Sequence, residues 1–278
     1  MRVLALAKLN LALAVVGRRP DGYHDLRSVF ATLDLADDVR LARHTRLEVR
    51  NTVDIGPGED LAARAVRTLA AAAGREAHAF VRIRKRIPLA AGLGGGSSDA
   101  AAVLRGLATL WGIDVDVVRV AAEIGSDVPF FASGAPVALV EGRGEIVRPL
   151  ARPREPLHVV VVRPTLRLST AEVYAEHRAD DRSALAHVDA LAAAFATGAV
   201  TPEFVRVHAA NDLLAAAMRR SPAIASWRAA AAARGVALVM TGSGPTLFAV
   251  ADDRADALRM ARILRRAGLR ARPHLVAP

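Results

Sequence analysis

Several short stretches of this chain hold residues suited to phosphate chemistry. The clearest is Pro88-Leu89-Ala90-Ala91-Gly92-Leu93-Gly94-Gly95-Gly96-Ser97-Ser98-Asp99, where four of the five residues from Gly92 to Gly96 are glycine. Without Cβ atoms such a backbone turns sharply and brings successive N–H groups against an anion. Ser97 or Ser98 is placed to cap the following helix, whose N-terminus adds partial positive charge. A strand, a glycine loop and a helix start together make a polyphosphate grip. The string is neither a Walker A loop nor the dinucleotide pattern G-x-G-x-x-G. Asp99 reads as a first-turn carboxylate complementing the helix dipole.

Other candidates are scattered. Lys8, in Ala7-Lys8-Leu9-Asn10-Leu11, is a charge inside an apolar strand pattern and must be paired or exposed. Asn10 lies two residues on, so both side chains share one strand face. Asp127, before Val128-Pro129, reads by itself as a turn residue. Thr241-Gly242-Ser243-Gly244-Pro245 is a second glycine loop. Tyr23 and Tyr174 are the only tyrosines in the chain, and Tyr23 follows the turn cluster Gly17 to Gly22.

The elements that must position these residues alternate irregularly. Strand patterns cover Val3 to Val16, Val29 to Leu35, Val39 to Val49 and Phe80 to Ile87. Helical periodicity marks Leu61 to Ala73, Ser98 to Trp111 and Val115 to Ile124, and a hairpin spans Val137 to Val147. The proline-rich stretch Leu150 to Pro156 divides the chain into 1–152 and 153–278. Beyond it follow a strand at Leu157 to Val162 and helices at Thr170 to His177, Ala184 to Ala196, Glu203 to Met218 and Pro222 to Arg234. Strands at Val236 to Met240 and Thr246 to Val250, a helix at Asp253 to Ala267 and a last strand to Val276 complete it. Strands and helices mix without βαβ regularity, so an α+β fold in two lobes fits.

Composition narrows the chemistry. The chain has 278 residues with no cysteine, which excludes disulfides, zinc–thiolate sites and cysteine nucleophiles. The formal net charge is +10, and only Lys8 and Lys85 among the 38 basic residues are lysine. That excess points to an anionic partner: nucleic acid, a membrane surface or a phosphorylated small molecule. With aromatics at 4%, little surface is available for stacking on bases along a nucleic acid. No signal peptide or spanning segment is visible, and a cytoplasmic protein is expected.

Pro-x-x-x-Gly-Leu-Gly-Gly-Gly-Ser-Ser resembles the second motif of the GHMP kinases. Ala7-Lys8-Leu9-Asn10-Leu11 and Met240-Thr241-Gly242-Ser243-Gly244-Pro245-Thr246 stand where that family carries its first and third motifs. Three motifs in order cover nearly the whole chain. Gly17-Arg18-Arg19-Pro20-Asp21-Gly22-Tyr23-His24-Asp25-Leu26 is similar to the branch that phosphorylates the 2-hydroxyl of 4-diphosphocytidyl-2-C-methyl-D-erythritol, in non-mevalonate isoprenoid synthesis. Gly125-Ser126-Asp127-Val128-Pro129-Phe130-Phe131 resembles the same branch.

The resemblance implies a two-lobed fold, ribosomal-protein-S5-domain-2-like at the N-terminus and ferredoxin-like at the C-terminus, with the active site between. It implies ATP and Mg2+ and makes Lys8 and Asp127 the catalytic pair. Asp127 would accept or orient the hydroxyl proton, and Lys8 would offset transition-state charge. Asn10, Tyr23, His24 and Tyr174 would bind the acceptor, the two tyrosines enclosing cytosine and His24 reading its edge. Lys85, Pro88, Gly92, Leu93, Gly94, Gly95, Gly96, Ser97 and Ser98 would bind ATP. No residue is assigned as a metal ligand, although Ser97 or Ser98 could reach Mg2+ or a phosphate. Asp60-Leu61 departs from a common Asn-Leu, which puts adenine contacts in doubt. Asn211-Asp212-Leu213 also matches a family segment and reads as structural. The expected partners are small molecules rather than nucleic acid or membrane, in a monomer or weak dimer. The competing enzyme reading is a mevalonate or homoserine kinase, and the competing non-enzyme reading is an anion or nucleic-acid binder that keeps the fold.

Overall fold

A computed structural model describes residues 1–55 and 60–278. The apolar opening forms one 17-residue strand, β1 (Arg2–Arg18), paired antiparallel with the 19-residue β2 (His24–Ala42). β3 (Leu47–Asn51), α1 (Leu61–Ala72) and β4 (Ala79–Arg84) follow, with β4 against the far end of β2. The glycine loop leads into α2 (Gly95–Trp111), then α3 (Val117–Ala122) and α4 (Val128–Ser133). The hairpin β5 (Val137–Gly142) and β6 (Ile146–Leu150) returns to the near end of β2.

The second half begins with β7 (Leu157–Val162), α5 (Thr170–Glu176), α6 (Leu185–Ala196) and α7 (Pro202–His208). A two-residue β8 (Ala210–Asn211) pairs with β1. Then come α8 (Leu214–Arg220), α9 (Pro222–Ala232), β9 (Val239–Met240), β10 (Leu247–Ala251), α10 (Arg254–Arg266) and β11 (Ala271–Val276). The second sheet runs β9-β10-β7-β11 and joins the first where Val276 pairs with Leu33 of β2.

Apolar burial explains the arrangement. One cluster packs α1 to α4 on the first sheet around Phe30, Leu104 and Phe130. Another gathers around Met240, Leu247 and Leu264 of the second half and takes in Leu13 and Val15 of β1. The third spans both halves, bringing Leu9 and Val29 against Val159, Phe195 and Phe248. Each such side chain, fully buried, contributes about 1.5–3 kcal/mol before entropy is counted.

Three expected elements differ. The strand pattern at Val39 to Val49 is two strands, because β2 stops at Ala42 and β3 resumes at Leu47. Only Val239–Met240 of the expected Val236 to Met240 strand is paired. The expected helix from Glu203 to Met218 is broken by β8. There Asn211 Nδ2 donates to the carbonyls of Met240 and Gly242, at 2.8 and 2.9 Å. Asp212 accepts from the N–H groups of Val15, Ser183 and Ala184. These long-range bonds outcompete helix continuation, which periodicity alone cannot reveal.

Candidate active site

Lys8 and Asn10 owe their direction to β1. Its register against β2 shifts between Leu6 and Lys8 and again between Asn10 and Ala12. Bulges of this kind re-aim side chains. Leu9, between them, enters the shared core, while Lys8 and Asn10 turn toward a cleft of about 560 Å³ between the halves of the chain. Lys8 Nζ donates to Asn10 Oδ1 at 2.6 Å, stands 3.6 Å from Asp127 Oδ2 and lies 4.7 Å over the Phe30 ring. Burial holds its ammonium below the ordinary lysine range, with the Asp127 charge and hydrogen bond pulling the other way. Asn10 Nδ2 donates to Ser28 Oγ, and the Asn10 backbone N–H donates to Thr241 Oγ1 at 2.8 Å.

Asp127 occupies the N-cap position of α4, yet its side chain makes no cap bond there and is left to face the cleft. The turn of the β5–β6 hairpin supports this loop from behind. Gly144 has φ +125°, and a Cβ there would lie 2.3 Å from the Ser126 carbonyl oxygen. No sequence signal marks that contact.

The glycine loop ties the three motifs together. The Lys8 N–H donates to the Leu93 carbonyl at 3.0 Å. Gly92, at φ +74°, approaches so closely that a Cβ would sit 2.8 Å from the Thr241 carbonyl. The cap of α2 is Gly94, in the left-handed region and without a side-chain bond, not Ser97 or Ser98. The expected serine cap is therefore corrected: the helix starts at Gly95, so both serines lie inside its first turn. The Gly95, Gly96 and Ser97 N–H groups thus open the helix at the cleft, while the Ser98 N–H is taken by the Gly94 carbonyl. Pro88, Leu93, Gly94 and Ser97 line the cleft with these glycines. Ser98 is buried and faces a smaller pocket beside Ala101 and Phe131.

Asp99 also differs from expectation. It is buried, and Lys85 Nζ donates to it at 2.6 Å and to Asp37 at 2.5 Å. Burial pushes the Asp99 carboxyl up to about 7 against the pull of Lys85. Burial works to lower Lys85, but Asp99 and Asp37 outweigh it and hold the ammonium above its ordinary range. Asp37 accepts two further bonds from the Arg86 and Ile87 N–H groups. Lys85 thus borders the cleft while fully engaged with protein, anchoring the start of α2 to β2 and β4. The Asp37-Asp38 pair inside an apolar strand signals a need for partners, but sequence does not say that one of them is Lys85. Asp60 caps α1 and takes a 2.7 Å bond from Asn51 Nδ2 at the opposite end of the cleft.

The aromatic residues are arranged differently from a sandwich of two tyrosines. His24 lies against Tyr174, ring centroids 5.2 Å apart and tilted by 33°. Tyr23 is exposed, with the Arg143 guanidinium 5.2 Å from its ring centre. Burial, then the nearby His177, Arg18 and Arg182, hold His24 below the ordinary histidine range. Burial and the Asp127 charge push the Tyr174 hydroxyl above its ordinary range. Ser243 of the third motif and Arg167 and Thr170, neither of which was expected at the site, complete the C-terminal wall.

The arrangement puts backbone N–H donors, a lysine–aspartate pair and the Tyr174 ring in one cleft; His24 touches that ring from outside the cleft lining, and neither His24 nor Tyr23 lines the cleft itself. Among the described residues no helix is long and apolar enough to cross a membrane. Comparisons with known proteins agree with this geometry. Residues 60–135 match the family of GHMP kinases N terminal domains, and residues 202–269 match GHMP kinases C terminal. The chain is 36% identical to a 4-diphosphocytidyl-2-C-methyl-D-erythritol kinase of Gloeobacter violaceus, over 95% of this chain and 90% of that one. It is 40% identical to the enzyme of the same name from Geobacter metallireducens, over 88% and 86%. A crystal structure of a 4-(cytidine 5'-diphospho)-2C-methyl-D-erythritol kinase superimposes with TM-score 0.81 at 37% identity, covering 99% of both chains. Homoserine kinase from Cytophaga hutchinsonii, 17% identical, shares the fold at TM-score 0.72 over 99% of this chain and 93% of that one.

Proposed function

The chain belongs to the GHMP kinases, and we propose on that premise that it transfers the γ-phosphoryl group of ATP to the 2-hydroxyl of 4-diphosphocytidyl-2-C-methyl-D-erythritol. The products are the 2-phosphate and ADP, in non-mevalonate isoprenoid precursor synthesis. The observation that carries the reaction class is the Lys8–Asp127 pair, 3.6 Å apart beside the α2 N-terminus that no side chain caps. The acceptor is supported by relatives of that name at 36–40% identity.

Phosphoryl transfer needs a held triphosphate, cationic compensation and an oriented hydroxyl. The N–H groups opening α2 and the loop from Pro88 to Ser97 hold the triphosphate. Lys85 serves that site through α2, as an anchor. Asp127 orients the acceptor hydroxyl and takes its proton as the new P–O bond forms. Lys8, 3.6 Å from Asp127, offsets charge on the transferring group. Asn10, fixed by Ser28 and Thr241, hydrogen-bonds the methylerythritol end. Cytosine rests on the His24–Tyr174 shelf, with Tyr23 at its outer edge.

The residues lining the cleft offer oxygen donors and no histidine, which suits a hard cation. Mg2+ would be held by the Ser97 hydroxyl and the phosphates themselves. When bound it neutralises charge on the β- and γ-phosphates. The halves 1–152 and 153–278 form the two walls. The enzyme works in the cytoplasm as a monomer or weak dimer on soluble substrates, independently of nucleic acid and membrane.

ADP release measured with the cytidylyl acceptor, homoserine and mevalonate tests this reading. Turnover is expected with the first alone. No turnover of the first together with good turnover of either other alcohol would overturn the acceptor.

A further inference from the structure

Three cations line the cleft: Lys8, Lys85 and Arg167. The two lysines are engaged. Lys8 is buried between Asn10 and Asp127, and Lys85 is held by Asp37 and Asp99. Arg167 is different: among the described residues it makes no hydrogen bond and no ion pair, and it is exposed. It is the cleft's uncommitted cation, in a cleft whose ligands carry several negative charges each.

Its place indicates which ligand. Arg167 sits in the link between β7 and α5, and that link is fixed just beyond it. Leu168 lies over Gly244, and the Thr170 hydroxyl meets that of Ser243 at 2.9 Å. One turn further, Tyr174 faces the same cleft, lies against His24 and feels the Asp127 charge. Arg167 therefore belongs to the wall that carries Tyr174, whereas the triphosphate grip belongs to the α2 wall. We propose that Arg167 grips the diphosphate of the cytidylyl acceptor, an inference that rests on the acceptor assigned above. A planar guanidinium meets two phosphate oxygens at once, and an exposed one reaches a ligand without breaking a protein contact.

Arg167→Gln and Arg167→Lys test this by calorimetric titration with cytidine and with cytidine 5'-diphosphate, alongside KM values for acceptor and ATP. An exposed, unpaired residue leaves the fold alone, so both variants should melt with the wild type. The wild type is expected to bind the diphosphate more tightly than cytidine. Arg167→Gln should weaken the diphosphate by about ten- to a hundredfold, the usual worth of charge-assisted hydrogen bonds, and leave cytidine unchanged. The acceptor KM should rise in parallel and the ATP KM should not, with Arg167→Lys in between. An unchanged ratio of diphosphate to cytidine affinity in Arg167→Gln overturns the proposal. So does a rise in the ATP KM in place of the acceptor KM. A wild type that binds neither probe overturns the acceptor assignment itself, and this inference with it.

Discussion

At the scale of single residues, the two lysines of an arginine-rich chain are both buried at this cleft. Lys8 fits a compact ammonium between Asn10, Asp127 and the Phe30 ring. A guanidinium is planar and larger, so it cannot take that place without displacing one of the three. Lys8→Arg should therefore lose at least about tenfold in kcat, and Asp127→Asn about 10²-fold or more, the typical worth of a positioned acid–base group. Steady-state kinetics at saturating ATP check both. Near-normal turnover in Lys8→Arg would remove the steric argument. Lys85 offers the contrast. Its resemblance to a nucleotide-site lysine was legible in sequence, but its two carboxylate partners were not. Asp37 lies 48 residues before it, and Asp99 was read as a helix-dipole carboxylate.

At the scale of elements, the site is a product of irregularities. The bulges in β1 aim Lys8 and Asn10, the glycine cap of α2 leaves its N–H groups for a ligand, and the β5–β6 turn braces Asp127. The last of these yields a separate prediction. Gly144→Ala forces a Cβ against the Ser126 carbonyl at a positive φ, so the loop carrying Asp127 must shift. A misplacement of about 1 Å can cost on the order of 10²-fold in rate. A fall in kcat of about ten- to a hundredfold, with the ATP KM little changed, is expected. Equal losses in kcat and ATP affinity would mean that the hairpin supports the whole cleft instead. Helix and strand types were largely readable from periodicity. The glycine loop was readable too, because its composition is itself the conformational signal. The break at Ala210–Asn211 was not, since its cause is hydrogen bonding to β1 and the third motif.

At the scale of the molecule, the proposed division at 152 and 153 separates the chain in sequence more cleanly than in space. The sheet continues from β2 into β11, and two apolar clusters take residues from both halves. Long-range bonds such as Asn10 to Thr241 add to this coupling. The two halves should therefore unfold together. Trp111 packs in the first half and Trp227 in the second, so single-tryptophan variants report on each separately. Coincident urea transitions from the two probes are expected. Transitions that separate would show the halves to be independent folding units.

The sequence by itself determined the three motifs, their order and the polyphosphate chemistry of the central one, because these are local: glycine at positions that need φ > 0, and donors at a helix start. It also carried the Lys8 puzzle, a charge in an apolar strand that required a partner. The family resemblance named Asp127, 119 residues away, as that partner; only the tertiary structure put the two 3.6 Å apart and decided that Lys85 faces two carboxylates. It also placed His24, not Tyr23, against Tyr174 and left Arg167 uncommitted on the C-terminal wall. The physical reason is one of range. Backbone conformation is written in neighbouring residues, whereas charge pairing and ring contact depend on which strands and helices the shared core brings together.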